Sequence, residues 1–230
     1  MNKDCREAAS KGDLNELIRM HESGFNLDED TLHYACLNGH LHCIKYLYEN
    51  GCTLDDMSLL CTIDNGHLEC LKYLHENGCS WDERACATAA ENCQLEILKY
   101  LYENGCPWDH NTCLESCEHG NLDCLKYAHE RGCPLTYYSS YYAAERGHLE
   151  CLKYSHKNGS AIDRKTLIQA ELYGNIDTFR YCYNILKEKN CRSVYVINID
   201  NIFSKIENTD PLRKEPFYKR YITILKKKKI

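Results

Sequence analysis

The 230-residue chain contains no apolar run approaching the ~20 residues that a membrane-spanning helix needs. Nothing apolar follows its start, Met1-Asn2-Lys3-Asp4-Cys5-Arg6, so no secretory signal is expected. The expectation that follows is an intracellular, cytoplasmic protein. Its 17 cysteines should stay reduced rather than build a disulfide framework. Catalytic motifs are lacking too. No glycine is left over for a phosphate-cradling loop, and no Ser, Cys or carboxylate stands in a motif outside the repeat described next. An enzyme, a cofactor and a small-molecule substrate are therefore not expected.

What the chain does have is a period. All 12 glycines fall in two columns spaced by 27 residues. One column is Gly12, Gly39, Gly66, Gly120, Gly147 and Gly174, with Cys93 at its fourth place; the other is Gly24, Gly51, Gly78, Gly105, Gly132 and Gly159. Residues 1 to about 190 are thus seven turns of one unit. Each unit reads as two helices whose ends the glycines mark. Leu68, Leu71 and Leu74 recur as Leu95, Leu98 and Leu101, a stripe suited to a buried helix face.

Asp28, Asp55, Asp82, Asp109, Thr136 and Asp163 precede the first helices as expected caps. Asp13, His40, His67, Gln94, Asn121, His148 and Asn175 follow the first glycine column, several of them good caps for the second helices, with mostly acids two places later, such as Glu69 or Glu96. Small residues in the first helices, Ala35, Ala89 and Ala143 among them, allow close packing between units. No unit could bury its face alone, so the stack forms the core.

Thr31-Leu32-His33-Tyr34-Ala35-Cys36-Leu37-Asn38-Gly39-His40-Leu41 resembles the ankyrin-repeat signature, and Ala143-Ala144-Glu145-Arg146-Gly147-His148-Leu149-Glu150 resembles it more closely. Ankyrin units run 33 residues, whereas these run 27. The six missing residues fall between Gly51 and Leu59 and their equivalents, where ankyrins form a projecting β-hairpin finger. The Thr-Pro turn is also gone, with Ser58, Ala85, Thr112, Ser139 and Thr166 at the proline place. The fold class implied is all-α, a solenoid of stacked antiparallel helix pairs with fingers reduced or absent. Short units of this wording resemble the finger-less arrays of giant DNA viruses and some protists, which would place the protein in a host cell.

His40 with Cys43, His67 with Cys70 and His148 with Cys151 share an H-x-x-C spacing that invites a zinc reading. The columns oppose it: His alternates with Asp, Asn and Gln, and Cys43 alternates with Ile97. Cysteine here serves as a small buried apolar residue, and no metal is expected. Tyr46, Tyr73, Tyr100, Tyr127, Tyr154 and Tyr181 form a packing column with hydroxyls near the surface. Lys45, Lys72, Lys99 and Lys126 precede Glu49, Glu76, Glu103 and Glu130 by four, a solvated charge ladder.

Columns that vary between units are the informative ones. One first-helix column runs Asp30, Met57, Arg84, Asn111, Tyr138, Lys165, and the next turn runs Tyr34, Cys61, Thr88, Glu115, Tyr142, Gln169. Asp64, Glu91, Glu118 and Glu145 continue the stripe as an acidic row. The ankyrin resemblance implies that this face lines a concave groove where partners bind. The partner-binding set is therefore Tyr34, Asp64, Arg84, Glu91, Glu115, Glu118, Tyr138, Tyr142 and Glu145, serving an adaptor that holds a protein with a basic patch. A merely solvated face is the competing reading. A monomer is expected.

After about residue 190 the pattern stops. Residues 191–210 carry Val194, Val196, Ile197, Ile199, Ile202, Phe203 and Ile206, enough for a capping element. Residues 211–230 hold eight Lys or Arg against Glu215, which leaves −13 for residues 1–210 out of the formal −6. Lys226, Lys227, Lys228 and Lys229 form a candidate contact for nucleic acid or a membrane surface, or a nuclear address. The alternative function is accordingly a nucleic-acid- or chromatin-associated factor working through this tail.

Overall fold

The computed structural model describes residues 5–188. The expected capping element at 191–210 and basic tail at 211–230, Lys226–Lys229 included, lie outside the described residues. Among those residues there are fourteen helices and no strand. They run in seven pairs: α1 (Cys5–Lys11) with α2 (Leu14–Glu22), α3 (Glu29–Leu37) with α4 (Leu41–Glu49), α5 (Asp56–Asp64) with α6 (Leu68–Glu76), and α7 (Glu83–Glu91) with α8 (Leu95–Glu103). The remaining pairs are α9 (His110–Glu118) with α10 (Leu122–Glu130), α11 (Tyr137–Arg146) with α12 (Leu149–Lys157), and α13 (Arg164–Leu172) with α14 (Ile176–Glu188). Residues up to Ser116, with Asp123–Pro134, make one compact unit; Cys117–Leu122, with the described residues from Leu135 onward, make a second.

Most of the first helices start on a carboxylate. Asp28 Oδ1 accepts the Thr31 amide at 2.9 Å, Asp55 Oδ1 the Ser58 amide at 2.8 Å, and Asp163 Oδ1 the Thr166 amide at 3.0 Å. Such a cap contributes about 1 kcal/mol. It also accounts for the missing Thr-Pro turn. Ser58 and Thr166 stand at the proline place, and their N–H groups are the donors the caps use, which proline would not have. At the Thr136 start the order is reversed: the Thr136 amide donates to Ser139 Oγ at 3.2 Å.

The first helix then closes through a left-handed glycine. Gly39 has φ +70°, and the next amide, on His40, returns to the Ala35 carbonyl at 2.9 Å. His67 to Thr62 and His148 to Ala143 repeat that bond at 2.8 Å. This six-to-one closure satisfies carbonyls a helix end would otherwise leave open.

The histidines at 40, 67 and 148 do not cap the second helices as expected, for none makes a side-chain cap bond. Their rings reach back to the preceding pair instead. His40 Nε2–H donates to the Ser10 carbonyl and His67 Nε2–H to the Leu37 carbonyl, both at 3.0 Å. The ring lies on the preceding glycine: a Cβ added at Gly12 would sit 2.5 Å from His40 Nδ1. Glycine is required there twice over, for its φ and for its missing side chain.

In the first unit the core is a file of second-helix residues, Leu17, Ile44, Leu71 and Leu98, packed on Leu32, Ala35, Leu59 and Ala89 of the first helices. In the second unit Leu152, Phe179, Ala143 and Ala170 hold the same places. The Leu stripe is therefore the buried face, with Leu71, Leu74, Leu98 and Leu101 fully buried and Leu68 and Leu95 half-buried.

Candidate interaction surface

The variable columns stand on the water-facing side of the first helices. In the first unit this face carries Asp30, Tyr34 and Leu37 on α3, Met57 and Asp64 on α5, Arg84 and Glu91 on α7, and a half-buried Glu115 on α9. In the second unit it carries Glu118, then Tyr138, Tyr142 and Glu145 on α11 and Lys165 and Leu172 on α13. Tyr138 is 54% exposed and Tyr34 43%.

Several of these residues already have work within the array. Arg84 Nη2 pairs with Asp56 Oδ2 at 2.7 Å and its Nε with Asp82 Oδ2 at 2.9 Å. Asp64 Oδ1 accepts from Asn92 Nδ2 at 3.1 Å, and Glu118 Oε1 pairs with Arg146 Nη2 at 2.5 Å. Apart from Asp82, which is two residues from Arg84, each partner lies 28 residues away, one unit plus one residue, which single-unit periodicity does not reveal. Arg84 is thus a clamp between consecutive pairs as much as a free cation. The same clamp recurs at the start of the array, where Arg6 holds Asp28 at 2.6 Å and Asp30 at 2.8 Å and its hydrogen bond lowers the Asp28 carboxyl to about 2.

The acidic row stands at helix ends. Asp64, Glu91 and Glu118 are the last residues of α5, α7 and α9. A carboxylate there sits at the negative end of the helix dipole, an unfavourable place.

The aromatic part of the face is larger than the sequence reading. Tyr137, Tyr138, Tyr141 and Tyr142 form one cluster on α11, with Tyr141 and Tyr142 meeting edge to face at 5.3 Å. Tyr137 is anchored, its hydroxyl donating to Asp163 Oδ1 at 3.0 Å. Leu172 at the end of α13 and Tyr173 just after it are exposed as well; burial chiefly pushes the Tyr141 hydroxyl up, and Tyr173 adds to that shift. The available signal was that Leu172 occupies the column of Asp64 and Glu91.

The second helices use their polar residues on each other. His21 Nδ1 meets the Tyr46 hydroxyl at 2.8 Å, His75 the Tyr100 hydroxyl at 3.0 Å, and His156 the Tyr181 hydroxyl at 2.9 Å. The rings of these pairs meet edge to face, and where tyrosine replaces that histidine the same ring geometry is kept, as for Tyr48 on Tyr73 and Tyr102 on Tyr127. The expected Lys-to-Glu ladder at i,i+4 takes a different register. Lys72, Lys99 and Lys153 reach back three residues to Glu69, Glu96 and Glu150, each at 2.7 Å.

Cysteine has two roles. Cys43 and Cys70 are buried as packing residues. Cys79, Cys106 and Cys133 also donate to the carbonyls of Asp55, Asp82 and Asp109, at 3.1, 3.3 and 3.1 Å. Ser160, in the same column, donates to the Thr136 carbonyl at 2.6 Å, which explains why a hydroxyl is tolerated there. Among the described residues no three His, Cys, Asp or Glu side chains are grouped to hold a metal ion.

Repeated helix pairs stacked through a shared core define an all-α repeat solenoid. Residues 6–85 match the family model "Ankyrin repeats (3 copies)". Among solved structures, the human ASB11 ankyrin repeat domain superposes with a TM-score of 0.66 at 22% identity, over 77% of this chain and 96% of that one. No curated protein matches the chain. Ankyrin repeats in general are protein–protein interaction modules, and their fold is typically a non-enzymatic binding scaffold.

Proposed function

We propose that this chain is an adaptor that holds a partner protein on the exposed face of its first helices, and that it is not an enzyme. The observation that carries this reading is the tyrosine cluster of α11, with Tyr138 more than half exposed on a helix whose other face is core. Large aromatic side chains held on a rigid element supply most of the energy of protein interfaces. Glu91, Glu118 and Glu145 favour a partner with a basic patch and speed its arrival, so affinity should fall as salt is added. We place the protein in the cytoplasm as a monomer.

The test is affinity capture with the full chain, repeated with Tyr138→Ala/Tyr142→Ala and with a chain cut after Asp210. The adaptor reading expects the captured partner to survive the cut and to be lost from the double variant. Loss on truncation, with retention by the double variant, would move the working surface to the basic tail. The nucleic-acid or chromatin reading would then replace this one.

A further inference from the structure

At the ends of the first helices, consecutive pairs hold each other through side chains 28 residues apart. Asn38 Nδ2 donates to Ser10 Oγ at 3.4 Å, Asn92 Nδ2 donates to Asp64 Oδ1 at 3.1 Å, and Arg146 Nη2 pairs with Glu118 Oε1 at 2.5 Å. The next member of that series is Tyr173, which stands 28 residues after Glu145. Here the clamp is not made. Among the described residues no hydrogen bond or ion pair reaches the Glu145 carboxylate. Its main chain is engaged instead, with Asn175 Nδ2 donating to the Glu145 carbonyl at 2.5 Å.

The surroundings of that carboxylate are aromatic. Tyr138, Tyr142 and Glu145 follow one another on α11 at steps of four and three residues, and Tyr141 precedes Glu145 by four, so they share one strip of the helix. The Tyr138 and Tyr142 rings lie 6.1 Å apart and only 30° from parallel, with Tyr141 edge-on to Tyr142. The Asn175 bond brings the turn after α13, with the exposed Leu172 and Tyr173, to the end of this strip. An unpaired negative charge beside exposed ring faces suits a cation that can also stack. A guanidinium does both, being planar and weakly hydrated, whereas an ammonium is a compact and strongly hydrated charge. The chain's own arginines show each half of that behaviour. Arg146 pairs with the acid one unit earlier, and Arg131 in the first unit lies 3.8 Å from the centre of the Tyr127 ring.

We propose that Glu145, with Tyr138 and Tyr142, is a socket for an arginine side chain of the partner protein. The socket lies on the face of the adaptor reading above and depends on that reading. The guanidinium takes the place at Glu145 that Arg146 takes at Glu118, donating to the carboxylate while its plane rests on the tyrosine rings. An apolar residue next to that arginine covers Leu172 and Tyr173, which are otherwise left in water. The partner therefore presents an arginine beside an apolar residue, a narrower requirement than a basic patch.

The experiment pans a phage-displayed library of random peptides on the immobilised full chain and synthesises the strongest binders as probes. Expected is a shared arginine next to an apolar residue. Replacing that arginine by lysine, or Glu145→Gln in the chain, should each weaken binding about tenfold. Tyr173→Arg should supply a guanidinium from within the chain, as Arg146 does at Glu118, and so block the peptides. Circular dichroism on each variant establishes that it has folded. Peptides that are lost on Tyr138→Ala/Tyr142→Ala but lack the arginine, or that ignore Glu145→Gln, would overturn the socket and leave the adaptor face standing. A library yielding no peptide that depends on Tyr138 and Tyr142 would overturn the socket and count against the adaptor face as well.

Discussion

Two glycines of one unit show how residue-level causes separate. Gly39 has φ +70° and lies under the His67 ring, whereas Gly51 has φ +99° with nothing within 4 Å of its missing Cβ. Gly51→Ala should therefore cost only backbone strain, on the order of 1–2 kcal/mol. Gly39→Ala must also displace an imidazole that is bonded to the Leu37 carbonyl, so its loss should be clearly larger. Urea denaturation of the two variants checks this, and equal losses would mean that the ring does not depend on the glycine. Asp28 gives a pH dependence. Its folded carboxyl is lowered from 3.8 to about 2, first by the Arg6 hydrogen bond, so the stabilisation is complete above about 4 and is lost as pH falls towards 2. Arg6→Ala should flatten the acid limb of the stability curve across that window, and an unchanged limb would assign the loss to other groups.

At the scale of the element, the absent proline has a local cause. The pairs are joined by tight loops, and the first helix is started by an Asp carboxylate that needs the amide three residues on. Ser58→Pro, which restores the ankyrin residue at that place, should destabilise by about 1 kcal/mol or more through loss of the Asp55 cap. A chain made more stable by that change would show that the cap is not the reason for the substitution. Elements of this kind were legible in the sequence because their causes are local: a glycine at a left-handed position, an Asp before a helix, Leu at i and i+3. The contacts of His40, Tyr46, Arg84 and Cys79 were not legible. They run 24 to 30 residues, an offset set by how one pair rests on the next rather than by the 27-residue period. His40, read as a cap from its place before the helix, proves to be a strut to the preceding pair. The outward position of Tyr138 was legible from column variation, but the Arg84 clamp and the Tyr173 extension were not.

Across the whole molecule, the proposed adaptor role divides the repeat's residues between holding the stack and meeting a partner. Leu71 and Leu98 belong to the stack, both fully buried, and Leu71→Ala or Leu98→Ala should cost ~2–5 kcal/mol by cavity formation. Chemical denaturation showing under ~0.5 kcal/mol at both would remove the basis of the shared core. The proposed binding surface is the varying first-helix face, and the proposal is directional: the partner would cover the first helices and leave the second helices in water. Hydroxyl-radical footprinting of side chains, with the captured partner present and absent, tests it most directly. The account predicts protection of Tyr34, Met57 and Tyr138, exposed by 43, 51 and 54% in the free chain, with Tyr102 on α8 reacting as before. Protection of Tyr102 with no change at Tyr34, Met57 and Tyr138 would contradict it.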